Sequence, residues 1–308
     1  MIAWLKANTS LHFFQSAIST VLLKEVLQLR WTQSLNKMKL PIVFLVFLAV
    51  HVCGGARILF MGVLGSVSHK RFYMPIAESL AERGHDITVV SSFAPVGKPV
   101  ENIREIVVDL SDLLESYDYF EIHNFRGLIN IFAMHYFFGD VMVNVYDRLI
   151  HNQEFRQLQH NEKFDLVVVD GVFNEFSLPI ADSFKVPIIT VGPIIDIMVT
   201  NMGTPRHFAS YPYIWTDHSD QMSYRQRLSN TISSILGQVA REYFIVNPLN
   251  SKIQKDFPQM RTIQEVEKDI SLCIVNSNPA YNFIRPLPPT VIEVNGLHMK
   301  LPKPLPSV

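Results

Sequence analysis

From Ala56 onward, short β-branched runs alternate with longer stretches of helical periodicity. That alternation restricts the chain to a parallel sheet covered by helices on both faces. The runs predicted as strands are Arg57 to Met61, Asp86 to Ser91, Glu105 to Val108, Asp165 to Val169, Pro187 to Val191, Ser271 to Val275 and Val291 to Val294. Leu166-Val167-Val168-Val169 is apolar at every position, as a central strand buried on both faces must be. The first helix is predicted over Phe72 to Arg83, with Ile76, Ala77 and Leu80 inward and Gly84 as a left-handed terminator. Pro75 must lie in its opening turn or bend it. The fold class that follows is α/β, a Rossmann-like parallel sheet.

Two stretches exceed what plain crossovers require. Residues between Asp109 and Phe164 are rich in aromatics, among them Phe120, Phe125, Phe132, Tyr136, Phe137, Phe138 and Tyr146. Met198 to Glu265 carries Tyr211, Tyr213 and Trp215, then an amphipathic stretch through Leu228 and Ile235. Aromatic runs more often build core than pocket, but their number outside the sheet favours a hydrophobic small-molecule cavity. The Pro-rich tail, Pro286 to Pro289 and then Leu301 to Pro306, reads as extended linker.

The chain has 308 residues and a formal net charge of -1, of which residues 1–55 hold five basic groups against Glu25. The remainder is therefore mildly acidic, which argues against a nucleic-acid partner. Met38-Lys39, the uncharged run Leu40 to Cys53 and Gly54-Gly55-Ala56 follow the order of a signal peptide over residues 38–55, cleaved near Gly55. Residues 1–37 form an upstream extension to which no role attaches, and it holds the only Asn-X-Ser/Thr site, at Asn8. Cleavage would remove Cys53 and leave Cys273 as a single thiol, with no internal disulfide. Residues 56–300 then make one domain, and 301–308 begin a linker.

In open parallel sheets ligands bind beyond the carboxyl ends of the strands. After the first strand, the small-residue loop Gly62-Val63-Leu64-Gly65-Ser66-Val67-Ser68 delivers His69 to the start of a helix; after the fourth comes Asp170. Both fall on one edge of the sheet, where an aspartate can fix the tautomer of an imidazole and stabilise its protonated form. Such a pair suits removal of a proton from an alcohol, phenol or acid as it attacks an electrophilic carbon. Asp170 could equally cap a helix beginning near Asn174. Gly62 and Gly65 lack the third glycine and spacing of a dinucleotide fingerprint, and no phosphate-cradling P-loop is present, so an oxidoreductase reading ranks low. No zinc motif occurs, and His123, His135, His151 and His160 are too scattered to read as a ligand set.

Several blocks taken together are more specific. Ser68-His69, then Met74-Pro75-Ile76-Ala77-Glu78-Ser79-Leu80-Ala81-Glu82-Arg83-Gly84-His85-Asp86, resembles the opening block of the UDP-glucuronosyltransferase and UDP-glycosyltransferase family of invertebrate type. Phe164 to Asp170, Asp220-Gln221-Met222-Ser223, Val275-Asn276-Ser277, Leu287 to His298 and Lys303-Pro304-Leu305-Pro306 extend the resemblance over Ala56 to Val308. It implies the N-terminal, acceptor-binding half of a two-domain GT-B glycosyltransferase, resident in the lumen of the endoplasmic reticulum and anchored by a C-terminal helix. The implied reaction moves glucuronate or glucose from a UDP-sugar, with inversion, to a hydroxyl of a small lipophilic acceptor, as in detoxification. His69 would be the base and Asp170 the residue that orients it. Ser68, Phe72, Phe137, Phe138 and Phe173 would contact acceptor. The UDP-sugar is a co-substrate, held by a donor domain expected to be absent here, and neither cofactor nor metal is implied. A truncated, non-catalytic product that binds acceptor, or forms homo- or heterodimers, is the alternative.

Overall fold

The computed structural model describes residues 55–95, 99–117, 127–194, 207–278, 280 and 282–299. The predicted extension, the signal segment as far as Gly54 and the linker at 301–308 lie outside the described residues, as do Phe120, His123 and Phe125. Seven strands, β1 (Arg57–Gly62), β2 (Asp86–Ser91), β3 (Ile103–Val107), β4 (Leu166–Asp170), β5 (Ile188–Gly192), β6 (Leu272–Asn276) and β7 (Val291–Val294), form one sheet. Its order is β3-β2-β1-β4-β5-β6-β7, and every neighbouring pair is parallel. The chain winds outward from β1 to β3, crosses back to β4, and winds outward the other way. Every predicted strand is present, β3 starting two residues early. Leu59, Val89, Val167 and Val169 are wholly buried, as a sheet packed on both faces requires.

Eight helices are described: α1 (Val67–Ala81), α2 (Ser111–Glu115), α3 (Gly127–His151), α4 (Gln153–Asn161), α5 (Ser177–Ser183), α6 (Tyr224–Arg241), α7 (Asn247–Asp256) and α8 (Ile263–Glu267). A π-helical turn, Glu242–Val246, joins α6 to α7. Helix α1 begins five residues before the predicted start, so Pro75 lies in its interior rather than its opening turn. There the missing N–H leaves the Arg71 carbonyl without its usual helical donor. The buried stripe of α1 is Lys70, Tyr73, Ala77 and Leu80, spaced as one helical face, with Ile76 half-buried beside it. Gly84 does end this turn, at φ +87°, and the His85 N–H returns to the Leu80 carbonyl at 3.2 Å.

The aromatics of α3 divide: Tyr146 is core, Phe137 and Phe138 pack against it, and Tyr136 is 64% exposed. Helix α6 reverses an expectation. Its apolar residues Leu228 and Ile235 lie on the exposed side, while Asn230, Ser233, Ser234, Gly237 and Ala240 are buried. Small side chains let α6 approach α3 closely, so volume outranks hydrophobicity in setting which face turns inward. The Asp220-Gln221-Met222-Ser223 block is the start of α6: Ser223 and Gln226 form a capping box, and Met222 is buried beneath it.

The amino edge of the sheet is tied by charge. Glu162 receives Arg57 at 2.6 Å and Arg104 at 2.8 Å, and Asp165 accepts the Arg57 backbone N–H. Among the described residues no helix is long and apolar enough to cross a membrane.

Candidate active site

The winding reverses between β1 and β4, which makes their carboxyl ends the switch point at which open parallel sheets bind ligands. His69 occupies the third position of α1, just past β1; Asp170 is the last residue of β4. His69 Nδ1 lies 2.9 Å from Asp170 Oδ2, with the aspartate side chain 1% exposed and the imidazole 14% exposed. Gly65, at φ +148°, makes room for the ring: a Cβ there would come within 3.1 Å of Nδ1. Next to His69, the buried Lys70 ammonium donates to the Phe93 carbonyl at 2.6 Å and to the Glu105 carboxylate at 2.5 Å. These bonds pin the first turn of α1 to the neighbouring strands.

Asp170 does not cap a helix. Its Oδ1 accepts the Val172 N–H at 3.1 Å, while α5 begins later, at Ser177. Burial holds its carboxyl above the ordinary carboxylate range, opposed by the bond and charge of His69 and by the Val172 N–H. Because the carboxylate accepts at Nδ1, the imidazole presents Nε2 as its free basic atom.

Asn174, near which a helix start is predicted, is 1% exposed and does more than mark that start. Its Oδ1 accepts the Leu64 N–H at 2.8 Å, and its Nδ2 donates to the carbonyls of Leu64 at 2.7 Å and Val172 at 2.9 Å. One side chain thus staples the loop that carries His69 to the loop that follows Asp170.

The remaining candidates are spread more widely. Ser68 is exposed, its hydroxyl 2.5 Å from that of Ser66. Phe72 is buried at 3% exposure. Phe137 meets Tyr117 and Phe138 edge-to-face. Phe138 stacks flat on Phe173 at 3.9 Å, and Phe173 holds a left-handed backbone, φ +60°, three residues past Asp170. Phe138 and Phe173 together line a cavity of about 100 Å³, whose walls also include Tyr213, Trp215, His135 and Arg241; Ser68, Phe72 and Phe137 are not among them. The aromatic insertions therefore do converge, around α3 and α6. His151 and His160 are exposed and apart from it.

Fold and dyad define the class: a doubly wound α/β domain with a carboxylate-oriented histidine at its topological switch point. The chain belongs to the UDP-glucoronosyl and UDP-glucosyl transferase family, whose model matches residues 61–308. It is 27% identical over 267 residues to UDP-glycosyltransferase UGT4 of Dactylopius coccus, covering 82% of this chain and 51% of that protein. Against human UDP-glucuronosyltransferase 2B7 the identity is 23% over 258 residues, covering 78% and 49%. The chain thus spans about half the length of the curated relatives it matches. Among solved structures, the calicheamicin glycosyltransferase CalG4 aligns over 78% of this chain and 53% of its own, at 16% identity and a TM-score of 0.39.

Proposed function

We propose that this domain supplies the acceptor site and the general base for transfer of glucose or glucuronate from a UDP-sugar to a hydroxyl of a small lipophilic molecule. The observation that carries the reading is the 2.9 Å contact between His69 Nδ1 and the buried Asp170 carboxylate. His69 Nδ1–H donates its hydrogen bond to the Asp170 carboxylate, so Nε2 accepts the proton of the acceptor hydroxyl. The oxygen, relieved of its proton, attacks the anomeric carbon from the face opposite the leaving group. The bond to the UDP oxygen breaks, UDP departs with its electron pair, and the anomeric centre inverts. Asp170 stabilises the imidazolium that forms. The sugar nucleotide is a co-substrate, and its phosphates are assigned to a further domain of the whole protein. The basic, apolar, small-residue order of residues 38–55 supports a place in the lumen of the endoplasmic reticulum.

The test is turnover in a chain continued through a nucleotide-binding domain. His69→Ala should abolish transfer to a neutral alcohol, and Asp170→Asn should lower it by about 10⁴, the loss expected when a base keeps its place but takes the wrong tautomer. Near-normal transfer by the His69→Ala protein would overturn the assignment. N-terminal sequencing of microsomal protein should begin near Ala56; material retaining residues 1–37 would refute the lumenal reading.

A further inference from the structure

The cavity beside the dyad carries a polar set that proton removal does not use. Glu175, five residues past Asp170, is one of its walls, and its side chain is 10% exposed. Glu175 Oε1 lies 3.4 Å from Arg241 Nη2, but Oε2 is buried with no hydrogen-bond partner. A buried carboxylate oxygen left unpaired is expensive, and such atoms call for a partner. His135, also in the wall, donates from Nδ1 to the Ile131 carbonyl at 2.6 Å, which leaves Nε2 as an acceptor. Burial, aided by Arg241, pulls the His135 pKa below its ordinary value, so the ring is neutral at pH 7.

Charge gives the set a sign. Arg241 is shared by Glu267 at 2.6 Å, Glu175 at 3.4 Å and Glu242 at 3.6 Å, three carboxylates around one guanidinium. The neighbourhood is net negative and its free atoms accept. A ligand must therefore bring donors, and a carboxylate is repelled. Size narrows the choice: at about 100 Å³ the space holds one end of a ligand, with the rest left outside its mouth.

We propose that this cavity is a subsite for the hydroxyl- or ammonium-bearing end of an acceptor, and that Glu175 selects that end. The proposal rests on the acceptor-transfer reading, because the cavity adjoins the loop that leaves Asp170, but its test requires no turnover. The full chain is titrated calorimetrically with 4-methylphenol, 4-hydroxybenzyl alcohol, tyramine and 4-hydroxyphenylacetate, which differ chiefly in the group opposite the phenol. The alcohol or the amine should bind about tenfold tighter than 4-methylphenol, as one charge-assisted hydrogen bond provides, and the acetate should bind weakest. A gain for the alcohol alone assigns a hydroxyl ligand; a gain for tyramine alone assigns an ammonium. Glu175→Gln keeps the volume and an acceptor oxygen but removes the charge, so it should abolish the gain for tyramine, cut the gain for the alcohol several-fold and restore acetate binding. His135→Phe, which leaves the carboxylate in place, should reduce the hydroxyl preference several-fold without admitting acetate. Equal affinities for the methyl, hydroxymethyl and aminoethyl compounds, unchanged preferences in Glu175→Gln, or no binding by any of the four would each overturn the subsite. If the preferences vanish while His69→Ala still abolishes transfer, only the subsite falls; if the preferences stand while His69→Ala transfers normally, only the base assignment falls.

Discussion

Asp170 shows at one residue how function and stability oppose each other. Its carboxyl is held above the ordinary range chiefly by burial, so the folded state binds more protons than the unfolded chain from about pH 3.8 upward. Stability contributed by this group therefore falls as pH rises through that window. Asp170→Asn should raise stability at pH 7 by about 1 kcal/mol even as transfer collapses, the trade expected at a strained site. Urea denaturation at pH 7 and pH 4 checks it, with the gain shrinking at the lower pH; a loss of stability at pH 7 would contradict it. Tyr73 offers a contrast. Its hydroxyl is buried without a partner, and burial together with the nearby Asp170 drives its pKa far upward, so the phenol stays protonated and cannot act as the base. Tyr73→Phe should leave transfer unchanged and stability equal or up to about 1 kcal/mol higher, because the group removed satisfies nothing. A large loss of kcat would place Tyr73 in the chemistry.

Between elements, the critical joint is Asn174. Asn174→Ala strips three hydrogen bonds and leaves the Leu64 N–H and carbonyl unpaired in a buried loop, a loss of about 2–4 kcal/mol readable as a lower urea midpoint. Asn174→Asp, which keeps the acceptor but not the donor, should fall between the two proteins. Nothing local announces this joint, since Leu64 lies 110 residues away in sequence. The strands were legible because burial on both faces dictates their composition, as in Leu166–Val169. His69 and Asp170 were legible because parallel strands place their carboxyl ends on one edge. The start of α1 was not: Pro75 reads as a residue of an opening turn and drew the predicted start to Phe72, although Ser66, the true N-cap, stands in the sequence. Helix α6 misled for a related reason, its buried face being small and polar rather than apolar.

At the scale of the molecule, the cavity is drawn from α3, the loop after β4 and the segment from Tyr213 to Arg241. Composition foretold its aromatic content; Glu175 and Arg241 became visible only when distant segments met. The opposite edge of the sheet behaves differently. Glu162 bridges Arg57 and Arg104, both well exposed, so Glu162→Gln should lower stability by less than about 1 kcal/mol, and by less still in high salt. Acceptor binding should be unaffected; a shift in calorimetric affinity would show that the edges are coupled. Because every strand runs the same way, chain entry and ligand contact occur at opposite rims. A variant library confined to the loops after β1 and β4, with Leu64 and Asn174 held fixed, and to the helix faces around the cavity should therefore resample substrate preference on a framework whose melting temperature barely moves. One confined to the turns that precede the strands should yield mostly silent clones, and those turns are where a dye, an affinity handle or a surface tether belongs.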